Sequence, residues 1–251
     1  MKPSVEALFE SELKRRAIPF TSDPKTKRYS VGAEQPSLVA LETLAREYAI
    51  DGDPDCVPRF VEAMLNGGAT PDWYIARHSI LFALEPNDYA DSPELRLSLS
   101  KRVDRVPILV DQRVGTWQWI NRQMLETWGV TVDDATEAAS AAAAAALCSA
   151  KLERSDVEGV TLGFFETALP LKSPLLLAPN LKEIVGPILG WPLHAVVPDQ
   201  DFIYLWPVTA AGFCERMGAV VVREYSIAPH PVTTELFKIS DEGMKAVGAF
   251  G

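Results

Sequence analysis

The sequence predicts an α+β protein, with a mixed, largely antiparallel sheet packed with helices and a helix-rich N-terminal part. Helical and strand-like stretches alternate irregularly, without the even βαβ spacing of a parallel sheet. Several neighbouring strand-like stretches are close enough in sequence to pair antiparallel. Helical periodicity dominates the start of the chain and gives way to strand patterns around residue 70. This places the boundary between two parts, 1–70 and 71–251.

Ser4 is an N-cap candidate for a first helix whose apolar Val5, Leu8, Phe9 and Leu13 share one face. "IPFTSDPKTKRYSV" reads as two extended segments around a polar turn at Asp23-Pro24. "LVALETLAREYAI" and "VPRFVEAMLNGG" read as helices, the second stopped by Gly67 and Gly68. "LRLSLS", from Leu95 to Ser100, alternates as a strand with one wet face, and the apolar "VPILV" suits a central strand with Pro107 near its start. "NRQMLETWG" reads as a short helix closed by Gly129. Thr131 and Asp134 then form a capping box for a helix containing the run Ala141–Ala146. There follow a strand "VEGVTLGFF", a Pro-interrupted helical region at 174–189, a strand–turn–strand at 194–206, a helix "AAGFCERMG" and an extended tail "APHPVTTELFKIS".

The 251 residues carry 24 Lys/Arg against 34 Asp/Glu, a formal charge of −10. The first thirty residues hold seven basic and four acidic side chains, leaving seventeen against thirty in the remainder. An acidic body repels phosphate backbones, which argues against nucleic acid and for a basic protein partner. Cys56, Cys148 and Cys214 are widely spaced and odd in number, as free thiols in a reducing compartment would be. The charged N-terminus lacks the apolar core of an export signal, and no apolar run reaches the ~20 residues of a membrane span. The expected location is the cytoplasm.

Few motifs suggest chemistry. "DGDPDCVPRFVE" sets Asp51, Asp53, Asp55 and Glu62 at the spacing of a calcium loop. Cys56 replaces the glycine of the sharp turn and Pro58 removes a donor, so no metal is expected. "NRQMLETWGVTVDDATEAAS" resembles a helix-turn-helix, but its second helix opens on acids rather than base-reading side chains, so it reads as an αα-corner. "WQW" shows Trp117 and Trp119 on one strand face, which suits packing or an anchor rather than a cofactor. No phosphate loop, dinucleotide fingerprint or nucleophile elbow occurs, and His78, His194 and His230 are isolated. No cofactor is expected. "VPDQD" has the composition of a tight turn, leaving Asp199 and Asp201 as candidate contacts at a hairpin tip beside the aromatic face Phe202, Tyr204 and Trp206.

"RVPILVDQ…INRQMLETWGVTVDDATEAA", "GVTLGFFET" and "LHAVVPDQDFIYLW", in that order, resemble the YtpQ-like family of bacterial proteins, a domain of unknown function. The closing "PHPVTTELFKIS" is similar to a Pro-rich C-terminal element of some members. The resemblance covers roughly residues 71–240 and implies a cytoplasmic bacterial α+β protein. It carries over no catalytic residue.

The expected function is therefore a non-enzymatic protein-binding protein, such as one of the immunity type that neutralises a basic toxin, with Asp199, Asp201 and Asp111 as partner contacts. The alternative is a hydrolase-like enzyme whose site gathers dispersed residues such as His78, Asp111 and Asp199.

Overall fold

The computed structural model describes residues 3–23, 28–32, 37–41, 44–45, 48–49, 52–66, 71–88, 93–111, 116–228 and 230–251. They form an α+β fold with antiparallel sheets, organised as two compact units. One comprises Met1–Pro71 with Asp111–Thr116, the other Asp72–Val110 with Trp117–Gly251. No helix among the described residues is long and apolar enough to cross a membrane.

In the smaller unit, α1 (Val5–Arg15) is capped by the Ser4 hydroxyl, which accepts from the Ala7 N–H. A three-stranded sheet follows in the order β1 (Phe20–Asp23), β2 (Arg28–Val31), β3 (Ser37–Ala40), and then α2 (Cys56–Asn66). Here the expectation of a helix starting in "LVALETLAREYAI" gives way: Ser37–Ala40 pairs with β2, and helix is seen only later, at 44–45 and 48–49. Its β-branched and apolar start gains more from the sheet than from a helix. The proposed turn after Asp23 and the stop at Gly67-Gly68 lie outside the described residues. The core packs the Phe9 ring edge-on against Tyr29, at 5.1 Å, and Phe60, at 6.0 Å.

Glu12 is buried in α1 and clamped by Arg15, at 2.6 and 2.7 Å, and by Arg16 Nε at 2.6 Å. The Arg15 hydrogen bonds, with help from Arg16, outweigh burial and hold its carboxyl at about 2 instead of 4.5. The folded chain thus binds this proton more weakly than the unfolded chain. The stability it contributes is complete above about 4.5 and is lost as pH falls through about 2. Denaturation midpoints measured across that window should fall with pH, and Glu12→Gln should flatten this part of the profile while lowering the midpoint at neutral pH.

In the larger unit, β4 (Ile80–Pro86) pairs along its full length with β6 (Val103–Asp111), which also pairs with the two-residue β5 (Leu97–Ser98) and with β7 (Thr116–Trp119). Pro107 lies mid-strand. Its carbonyl accepts from the Ile120 N–H, so its missing donor faces that edge and the β4 ladder is untouched. The one-turn α3 (Trp73–Ala76) precedes this sheet. The corner α4 (Arg122–Trp128) and α5 (Val132–Ser149) follows it, with α5 packed on β4. Asn121 caps α4 and Gly129 ends it in the left-handed region, at φ 68° and ψ 33°. The Thr131–Asp134 box is closed in both directions. Buried Ala135, Ala139, Ala143 and Leu147 give α5 a narrow, small-residue face.

A six-stranded sheet runs in the order β13 (Gly243–Ala249), β12 (Glu235–Ser240), β10 (Leu193–Asp199), β11 (Phe202–Pro207), β9 (Val160–Glu166), β8 (Lys151–Val157). The single strand expected at 157–165 is a hairpin. Glu158 and Gly159 turn at positive φ, and the polar "KLERSDV" forms the edge strand. Within the expected extended tail, Glu235–Ser240 forms β12, and β13 has no counterpart in the sequence reading. One sheet face carries Val196, Trp206 and Leu162 against Phe213, Met217 and Val221 of α7 (Ala211–Ile227). The other carries Ala195, Leu205 and Phe237 against the 3₁₀ turn at Ser173–Leu177, α6 (Leu181–Leu189) and β4. Gly163 of β9 permits this approach, because a Cβ there would meet Leu189 Cδ1 at 2.5 Å.

Space is open around Gly129, with nothing within 4 Å of an added Cβ, so only its backbone conformation resists substitution. Gly129→Val should destabilise by about 1–2 kcal/mol in chemical denaturation. An unchanged midpoint would show that the left-handed turn is not what closes α4.

Candidate functional site

Two groups of candidate side chains flank the β10–β11 hairpin. The first is its tip. Register slips between Val196 and Asp199, so the tip is bulged rather than regular. Asp199 Oδ1 accepts from the Asp201 N–H at 2.8 Å, the Asx pattern that the turn composition predicts. Its Oδ2 accepts from the His230 N–H at 3.1 Å, and its backbone bridges to Pro231. Asp199 is only 6% exposed. This corrects the expectation that the tip displays both carboxylates: Asp199 is spent on backbone donors, and Asp201 alone is exposed.

Gln200, 4% exposed, is the residue that sequence reasoning missed. Its Nε2 donates to the Leu84 carbonyl at 2.6 Å, and its Oε1 accepts from the Ser173 hydroxyl at 2.7 Å. Its backbone carbonyl accepts from the Lys172 and Ser173 N–H groups. The tip is therefore plugged into the core between β4, the 3₁₀ turn and the 230–233 segment. The available signal was composition: Gln is not a favoured turn residue, and one enclosed by "PD" and "D" asks for a reason.

Beside this plug, a recess of about 220 Å³ is lined by Phe164, Lys172, Asp201, Phe202 and Tyr204, with Phe165 and Ile203 behind them. Phe202 and Tyr204 meet edge-to-face at 4.4 Å, and Phe164 is 37% exposed. Burial, then the Glu224 carboxylate, pushes the Tyr204 hydroxyl up, so it remains a neutral donor. The aromatic faces suit a cation or a flat apolar group, while Asp201 and Lys172 give the rim one charge of each sign.

The second group joins elements twenty residues apart. His194 Nδ1 of β10 lies 3.4 Å from Cys214 Sγ in the first turn of α7. Both are half-buried, and the His194 ring packs edge-on against Trp206 at 5.7 Å. Burial, then the Lys238 charge, lowers the affinity of His194 for protons. Spacing in the chain could not show this pair, since its contact depends on how α7 crosses the sheet.

The remaining candidates are dispersed. His78 packs on Tyr74 and accepts from Arg77 Nε at 3.3 Å. It precedes β4, six residues and about 20 Å of extended chain from the Leu84 end where Gln200 docks. His78 and Asp199 are thus not brought together. Asp111 ends β6, is half-buried and belongs to the smaller unit. In the calcium-like stretch Asp51 lies outside the described residues. Asp53 accepts from the Asp55 N–H at 2.9 Å and pairs with Arg59 at 3.2 Å, beside the start of α2. No group of three or more His, Cys, Asp or Glu among the described residues could hold a metal ion.

Comparison with protein families, curated proteins and solved structures finds no match for this chain.

Gln200→Ala strands a buried carbonyl and a buried hydroxyl, so it should destabilise by about 2–4 kcal/mol. Asp201→Asn should change stability by less than about 0.5 kcal/mol. Equal denaturation midpoints for the two variants would show that the amide plug does not hold the tip.

Proposed function

We propose that this chain is a non-enzymatic protein-binding protein that receives a basic partner at the β10–β11 hairpin tip. The observation that carries the reading is the recess itself, where Phe164, Phe202 and Tyr204 surround exposed Asp201 on a tip anchored in the core. A partner's Arg or Lys stacked on these rings and paired with Asp201 gains cation–π attraction and a charge-assisted hydrogen bond. Lys172 then meets an acidic neighbour on the partner, which sets its orientation. The formal charge of −10 draws such a partner in. A basic toxin neutralised by an immunity-type protein has this character, and a cytoplasmic bacterial setting, in keeping with the YtpQ-like motif order, belongs to the same proposal. Asp199 contributes by holding the turn, not by touching the partner, and Asp111 is not part of this contact. The enzymatic alternative built on His78, Asp111 and Asp199 gains no support from the positions of His78 and Asp199.

Capture from host lysate at low and high salt, followed by affinity measurements with the captured protein, tests the proposal. Phe202→Ala should weaken binding at least about ten-fold at any salt. Asp201→Asn should weaken it mainly at low salt, through the association rate. A partner that binds wild type and both variants equally across a salt series would rule this surface out.

A further inference from the structure

The His194–Cys214 pair lies outside the partner recess and has a chemistry of its own. Cys214 sits in the first turn of a seventeen-residue helix whose N-cap, Ala210, offers no side-chain acceptor, so the thiol lies within the positive end of α7. The neutral imidazole of His194 places Nδ1 at 3.4 Å from Sγ, where it can take the thiol proton. Across the sheet on the same face, Lys238 stands directly opposite His194, and Lys245 directly opposite Lys238. Both lysines are exposed, and Lys245 is paired with Glu242 at 2.7 Å. The indole N–H of Trp206, fully buried in the ring that packs on His194, has no acceptor among the described residues. A half-exposed thiol with a base, a helix N-terminus and a cationic approach has the features of a reactive cysteine rather than of a packing residue.

We infer that Cys214 is a thiol–disulfide exchange site for small anionic disulfides. The thiol proton passes to His194 Nδ1 as Sγ attacks one sulfur of the incoming disulfide. The Sγ–S bond forms as the S–S bond breaks, and the departing thiolate takes the proton back from His194. Cys214 is oxidised to a mixed disulfide and the released sulfur is reduced, the disulfide itself serving as oxidant. Lys238 and Lys245 receive the carboxylates of the reagent.

The test uses the full chain at neutral pH with less than one equivalent of disulfide, and peptide mass mapping of the adduct. Two probes are compared: dithiobis-nitrobenzoate, which carries two carboxylates, and dithiodipyridine, which is neutral. Cys214 should be modified before Cys148, although Cys148 is the more exposed thiol. His194→Gln should slow Cys214 at least about ten-fold with both reagents. Lys238→Gln should slow it with the anionic reagent only. Modification of Cys148 first overturns the inference in the wild-type protein, whether or not the His194 variant folds. An unchanged Cys214 rate in His194→Gln also overturns it. Equal effects of Lys238→Gln on the two reagents would remove the anion preference.

Discussion

The side-chain amide of Gln200 is the constraint on which the larger unit depends. One residue at a hairpin tip satisfies Leu84 of one sheet and Ser173 of the covering 3₁₀ turn, while its neighbours bind the 230–233 segment. Buried amides are costly unless every donor and acceptor finds a partner, so a filled network of this kind selects one arrangement of the segments it joins. The hairpin register shifts between Val196 and Asp199, immediately before Gln200. Asp201 and Phe202, one and two residues further on, are then presented from a fixed base, and a rigid base spares a binding surface the entropy of ordering itself.

The same sheet accommodates polar chemistry on its other face. β10 and β11 are covered by α7 through Phe213, Met217 and Val221, and His194 and Cys214 lie where that apolar cover meets the more exposed β12 and β13. Partial burial lowers the proton affinity of His194 without isolating it from solvent. The two sites therefore share one hairpin but not one environment: the recess lies at its tip and the thiol near its base.

Local signals in the chain were legible where local chemistry decides the outcome. Asn121, Gly129, Thr131 and Asp134 act within three or four residues, and the α4–α5 corner follows the sequence closely. The strand at Ser37–Ala40 and the β8–β9 hairpin were not legible, because pairing with a neighbour overrides weak helical or polar patterns. At the candidate sites, the turn at "VPDQD" could be read, but the burial of Asp199 and Gln200 could not. Their environment is supplied by Leu84, Ser173 and His230, all remote in sequence. The His194–Cys214 contact is invisible for the same reason. The α+β class could be read because it rests on how many strands and helices there are and how they are spaced, not on which side chains meet.

The alanine run in α5 is a single letter repeated, yet its positions stand in different surroundings. Ala143 is buried, while Ala141 and Ala145 face solvent. Enlarging Ala143 would drive a side chain into a packed face, whereas the outer alanines can drift to Lys or Glu at almost no energetic consequence. Among descendants of this sequence the run should erode from its outside and keep Ala143, which continues the four-residue spacing of Ala135 and Ala139 earlier in the same helix.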